Sequence, residues 1–193
     1  MELNRDDAVT LMQEWTASES LRKHMLAVEA AMVAYAKKYG EDETKYAVTG
    51  ILHDYDYEKY PEIGENGHPF VGVAHLRERG YPEDVLDAIL GHADLPSHPR
   101  TTQLAKTLFA CDEITGLITA AVLVRPDKDI ANQKVKSLKK KFKDKAFAKG
   151  VKREDVQKGA EELGVDLWEH IAFVLEAMQA RADVLELDGR QAV

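Results

Sequence analysis

At 193 residues and 45% hydrophobic content, with a single cysteine, the chain is long enough to bury a substantial core as one domain and has no intramolecular disulfide framework. No charge-free apolar run reaches the roughly 18 residues of a membrane-spanning helix, and the start Met1-Glu2-Leu3-Asn4-Arg5 lacks the basic-then-apolar order of a secretory signal, so a cytoplasmic protein without a membrane partner is expected. The formal charge of −8 is uneven: residues 134–153 hold ten Lys or Arg against one acid, Asp144, which puts +9 on this stretch and −17 on the remainder.

Helical periodicity runs along the chain and no stretch alternates as a strand, so an all-α fold is predicted. Asn4 suits the cap of a short helix ending near Trp15, and a second helix spans residues 20–39 with Gly40 as its stop. Leu21, His24, Val28, Met32 and Tyr35 share one stripe of that helix, which turns His24 inward. A third helix starts near Glu43 and delivers His53 and Asp54 at its end, while Gly50, one turn earlier, removes bulk where another helix can approach.

Residues 55–67 are polar and aromatic, broken by Pro61, Gly64 and Gly67, and read as a loop shaping the mouth of a pocket beside the doublet. Pro69 suits the first position of a fourth helix with His68 at its edge; Gly80 ends it, Pro82 opens a fifth, and His92 closes that one. A sixth helix, from near Thr101, carries Leu104, Leu108, Asp112, Thr115, Thr119 and Val122 on one side, with Cys111 as a buried thiol among Leu108, Phe109 and Ala110. Past Pro126 the chain is lysine-rich. Val135, Leu138 and Phe142 keep helical spacing there, which predicts a solvated helix face, although a basic segment on an acidic body also draws phosphorylated ligands. Two more helices are expected, over residues 153–163 and 166–187, separated by Gly164, the second opening on Asp166 and Glu169 as a capping box and packing through Leu167, Ile171, Val174 and Met178.

An ionised carboxylate is costly to bury alone, so Asp54 and Asp112 on inward stripes need a cation, strong hydrogen bonds or a proton. A lone histidine on an apolar face is ordinarily a hydrogen-bonded core residue, but His24, His53-Asp54 and Asp112 occupy inward positions on three different helices, and a shared divalent metal is the simplest common answer. His68 and His92 lie between the doublet and Asp112; facing inward, they allow a second ion. His75 and His98 are expected at the surface or in support, and His170 in the packing of the last helix.

In this order the residues resemble the HD-domain superfamily of metal-dependent phosphohydrolases, whose pattern is an isolated His, a His-Asp doublet and a distant Asp on a helical core. Here these are His24 in Leu21-Arg22-Lys23-His24-Met25-Leu26, His53-Asp54 in Gly50-Ile51-Leu52-His53-Asp54-Tyr55, and Asp112 in Phe109-Ala110-Cys111-Asp112-Glu113-Ile114. The resemblance covers residues 20–123. It implies a single-domain helical bundle with residues 124–193 as a C-terminal helical extension packed on the core.

Members with two metals insert two further histidines, matched by His68-Pro69 and Gly91-His92, so the resemblance implies that Asp54 bridges the ions, that His24, His53 and Asp112 complete the first, and that His68 and His92 hold the second. One or two divalent ions among Mn, Fe, Co, Ni, Zn and Mg are expected, since mixed His and carboxylate sites accept all of them. They would polarise a phosphoryl oxygen and lower the pKa of a bound water, generating hydroxide as nucleophile.

In one-metal members an acid shortly after the doublet helps proton transfer, which makes Asp56 and Glu58 candidates beside Asp54; Lys23 and Arg125 are candidate phosphate contacts, with the lysine-rich segment as a lid. The expected activity is hydrolysis of a phosphomonoester or phosphoanhydride of a small, nucleotide-like molecule. Two alternatives stay open: a di-iron oxygenase of the HD type with the same ligands, and a non-catalytic nucleotide- or RNA-binding module with a structural metal. Against the last, the chain lacks an aromatic-basic RNA motif and its acidic remainder repels a long polyanion. Oligomeric state is left open by the sequence.

Overall fold

The computed structural model describes residues 2–192. Among the described residues there are nine α-helices and a short 3-10 turn but no β-strand, only isolated bridges between Ile63 and His68 and between Asp129 and Asp188. The all-α expectation therefore holds. The chain divides into two compact units, Met1–Phe109 and Ala110–Val193, with the division inside one helix. The sequence predicts one domain with its core ending at residue 123.

The first unit contains α1 (Arg5–Trp15), α2 (Glu19–Tyr39), α3 (Glu43–Leu52), α4 (Phe70–Glu78), α5 (Glu83–His92) and the start of α6 (Gln103–Leu123). Helix starts follow side-chain caps: Asn4 accepts from the amides of Asp6 and Asp7, Ser18 from Leu21, and Asp42 from Thr44 and Lys45. Gly40 ends α2 at φ 70°, a left-handed conformation suited to glycine. Pro69 stands as the cap before α4 rather than as its first residue, so this helix begins one position later than predicted.

Helices α2 and α3 cross at Gly50, where a Cβ atom would lie 2.9 Å from the Glu29 Cα. The Glu29 side chain is buried beside this crossing, and the Arg5 guanidinium donates to both of its oxygens, fastening α1 to α2. A buried carboxylate left without that partner would be strongly unfavourable. Around the crossing, Met25, Val28, Met32, Ile51, Leu52 and Tyr55 join Val73 and Leu76 of α4 and Leu86 and Ile89 of α5 in one buried cluster.

The second unit holds the rest of α6, the 3-10 turn Ile130–Asn132, α7 (Val135–Lys143), α8 (Arg153–Leu163) and α9 (Leu167–Gln179). The helical spacing beneath the lysines is realised as α7, with Leu138 and Phe142 buried. As expected, Cys111 is buried, which pushes its thiol pKa up, and His170 is a packing residue whose Nε2 donates to the Ala110 carbonyl at 2.7 Å. Helix α9 ends at Gln179, not at residue 187 as predicted. Beyond it the chain continues in turns, Glu186 takes a left-handed φ of 53° between the buried Leu185 and Leu187, and the Leu187 carbonyl accepts from the Ile130 amide at 2.7 Å. No described helix is long and apolar enough to cross a membrane.

Because backbone rather than a flexible side-chain tip opposes Gly50, Gly50→Ala should destabilise the first unit by about 1–3 kcal/mol. Urea denaturation checks this; an unchanged midpoint would show that the crossing can yield.

Candidate metal centre

The candidate centre is assembled on Asp54. This residue follows the His53 cap of α3 in a tight turn, and its carboxylate is 16% exposed. His24 Nε2 from α2 lies 3.7 Å and His53 Nε2 3.5 Å from one carboxylate oxygen, Oδ2. His68 Nε2 from the edge of α4 and His92 Nε2 from the end of α5 each lie 3.3 Å from the other, Oδ1. Two imidazoles thus face each oxygen of a single carboxylate.

The far side of three rings shows which nitrogen carries the proton. His53 Nδ1 is 2.8 Å from the Gly50 carbonyl, and His92 Nδ1 meets the Ile89 carbonyl; a carbonyl only accepts, so both Nδ1 atoms are protonated donors. His68 Nδ1 lies 2.7 Å from Asp56 Oδ1, also an acceptor. In the neutral state all three rings then aim Nε2 lone pairs inward. His68 and His92 bring these atoms within 3.1 Å of each other, and the donor atoms of Asp54, His68 and His92 all lie within 4.8 Å.

Acceptor facing acceptor at that range is repulsive unless positive charge sits between them, which is the donor chemistry of a divalent metal site. Burial alone would raise the Asp54 pKa, but positive charge on His53 and His92 outweighs it and holds the carboxyl well below the usual range, the service a bound cation performs when the rings are neutral.

Asp56 departs from its expected role as an acid or base. It is 1% exposed, and both of its oxygens are engaged: Oδ1 with His68, and Oδ2 with the Gly72 amide at 2.7 Å. It is the orienting partner of His68. Gly72 has no room for a side chain, since a Cβ would lie 2.7 Å from the Asp56 carboxyl carbon.

The Gly72 carbonyl accepts from Tyr55 Oη at 2.8 Å, which leaves Tyr55 to accept from His75 Nδ1 at 3.0 Å. His75, stacked on Trp15 and with its pKa lowered by burial and by Arg79, is therefore a supporting residue three contacts removed from Asp56. His98 lies in the loop after α5, bonded to Ser97.

Glu58 also departs from expectation. Its exposed carboxylate accepts from the amides of Ala17 and Ser18 at 2.9 and 2.8 Å, capping the junction of α1 and α2 instead of facing the imidazoles. Lys23 is half-buried on α2, one residue before His24. Arg125, in the second unit, pairs with Asp127 through two bonds of 2.8 and 2.7 Å. Asp112 lies on α6, half-buried, three residues beyond Phe109; burial and the Asp112 charge push its neighbour Glu113 up to about 7.

Arg100 was not anticipated. Its side chain is 5% exposed, donates to the Gly91 carbonyl at 2.7 Å and to Asp94 at 2.8 Å, and so closes the end of α5 that presents His92. A buried guanidinium at a helix C-terminus meets the negative end of the helix, but residues 93–102 carry no periodicity that would have announced it.

Asp56→Asn and Gly72→Ala should each weaken divalent-ion binding about 10- to 100-fold by releasing His68, whereas Glu58→Gln should leave it unchanged. Titration of the stripped protein with Mn or Zn against a competing chelator measures this, and undiminished affinity in Asp56→Asn would remove its supporting role.

Comparison with known proteins agrees with this geometry. The HD domain family model matches residues 21–117, half of the chain. Two curated relatives, both named Ribonuclease Y, from Nitratidesulfovibrio vulgaris strains DP4 and Hildenborough, are each 30% identical over 99 residues. That alignment takes in 51% of this chain but 18% of each relative, so the chain spans less than a fifth of their length. No solved structure matches the chain significantly. With its histidines gathered on Asp54 and the family model running across them, this chain belongs to the HD domain family.

Proposed function

We propose that this chain is a metal-dependent phosphohydrolase acting on a small phosphorylated molecule, and that Asp54 and the imidazoles around it would hold one or two divalent ions. The observation that carries the reading is the division of four imidazoles between the two oxygens of Asp54, a pair on each side. In this reading His24 and His53 would hold one ion and His68 and His92 a second, and the family pattern would add Asp112 to the first.

Bound there, the ions would supply the charge that polarises a phosphoryl group and lowers the pKa of an attacking water. The protein's own contribution is geometric. His53 and His68, 0% and 3% exposed, form the closed side, while His24 and Asp54, 23% and 16% exposed, form the edge from which a phosphate can approach. Tyr57, 42% exposed and edge-on to the His68 ring at 5.2 Å, is placed to contact the organic part of the substrate. Asp56 and Glu58 are committed to His68 and to the α1–α2 junction, so neither is assigned to proton transfer here.

The test is turnover by protein stripped of metal and reloaded separately with Mn, Fe, Co, Ni, Zn or Mg. It would be offered 4-nitrophenyl phosphate, a nucleotide panel, bis(4-nitrophenyl) phosphate and, given the name of the relatives, a short RNA. Phosphate or nitrophenol release should be independent of dioxygen and fall about 100-fold or more in Asp54→Ala. Absence of release with every metal and substrate, or a strict requirement for oxygen, would overturn the assignment.

A further inference from the structure

The second unit contains a cavity of about 560 Å³ that owes nothing to the histidine cluster. Phe142, Lys143, Lys145, Lys149, Lys152 and Arg153 line it, so it gathers half of the ten basic residues that the sequence concentrates between 134 and 153. Its size falls within the roughly 300–1,000 Å³ common for small-molecule sites.

The basic residues of this segment divide by what they do. Lys139 lies over the Trp168 ring and Lys141 over the Phe147 ring, at 4.9 and 4.1 Å, covering apolar surface. Arg153 is spent on the backbone: its guanidinium donates to the carbonyls of Asp144, Phe147, Ala148 and Val151, and so draws the loop between α7 and α8 around itself. That loop carries Lys145 and Lys149 on the rim of the cavity.

Lys143, Lys145 and Lys149 are exposed and make no hydrogen bond or ion pair among the described residues; Lys152, 71% exposed, reaches Asp155 only at 3.8 Å. The start of α8 at the same rim is already answered by acids, Glu113 accepting from the Lys152 amide at 3.2 Å and Glu154 and Asp155 standing in its first turn, so the positive charge of the concavity comes from the lysines. Glu154 is the acid of the lining.

We infer that this cavity is a binding site for a small polyphosphorylated anion of nucleotide size. Several ammonium groups around one concavity repel one another and are relieved by an anion with several oxygens. Lysines, as point charges on flexible stems, accommodate a phosphate chain without the planar fork of arginine. Phe142 and Val151 give the concavity an apolar wall for an organic moiety. A long nucleic acid fits less well, because the charges ring a concavity and the rest of the chain carries −17.

The inference is independent of the proposed hydrolysis, and its test is run in EDTA, with no metal at the histidine cluster. Calorimetric titration of the full chain with ATP, inorganic tripolyphosphate and a 12-nucleotide single-stranded RNA should show one-to-one binding of ATP, weakening with salt. In Lys145→Ala/Lys149→Ala affinity should fall about tenfold or more, and Lys139→Ala should leave it unchanged. Tripolyphosphate binding as well as ATP would assign recognition to the phosphate chain, and tighter ATP would add the wall; both support the site. Lys145 and Lys149 are exposed, so circular dichroism of the double variant should match the parent. No heat of binding, equal affinity in the double variant, or RNA binding more tightly than ATP would overturn the inference.

Discussion

One carboxylate organises the first unit. Asp54 is nearly buried and ionised, and it stands among four imidazoles, three of which have their protons committed outward to Gly50, Asp56 and Ile89. Nitrogens and oxygens carrying lone pairs are thereby pressed together at 3.1 to 3.7 Å. Such an arrangement is unfavourable by itself and becomes favourable around a cation, so the fold holds its donors in the geometry of the charged complex.

That geometry is supported from behind. Gly50 lets the α2 and α3 backbones meet, setting His24 and His53 on adjacent helices, and the same Gly50 supplies the carbonyl that fixes His53. Gly72 supplies both an amide for Asp56 and a carbonyl for Tyr55, so a line of contacts runs from His75 through Tyr55, Gly72 and Asp56 to His68. Arg100 performs the corresponding service at the α5 terminus beside His92. Each support uses a backbone group within a turn of a ligand, which leaves little freedom for the rings.

The second unit applies electrostatics differently. In the first, buried charges are balanced at short range, as with Arg5 and Glu29; in the second, like charges are left exposed around a concavity. Membership of the HD domain family accounts for the histidine cluster, whereas the lysine-lined cavity lies beyond residues 21–117.

Helix positions and the identity of the clustered donors were legible in the sequence because they depend on local rules. Asn4, Ser18 and Asp42 cap helices through amides two or three residues away, apolar stripes follow the helical period, and the order His24, His53-Asp54, His68, His92 is written in the chain. What only the tertiary structure decided was the function of neighbours equally acidic on paper. Asp56 turned to His68, Glu58 to the α1–α2 junction, Arg125 to Asp127, and the last helix stopped at Gln179, short of the buried Leu185 and Leu187. A side chain's partner is chosen by what the fold brings within about 3 Å, and sequence spacing carries no measure of that distance.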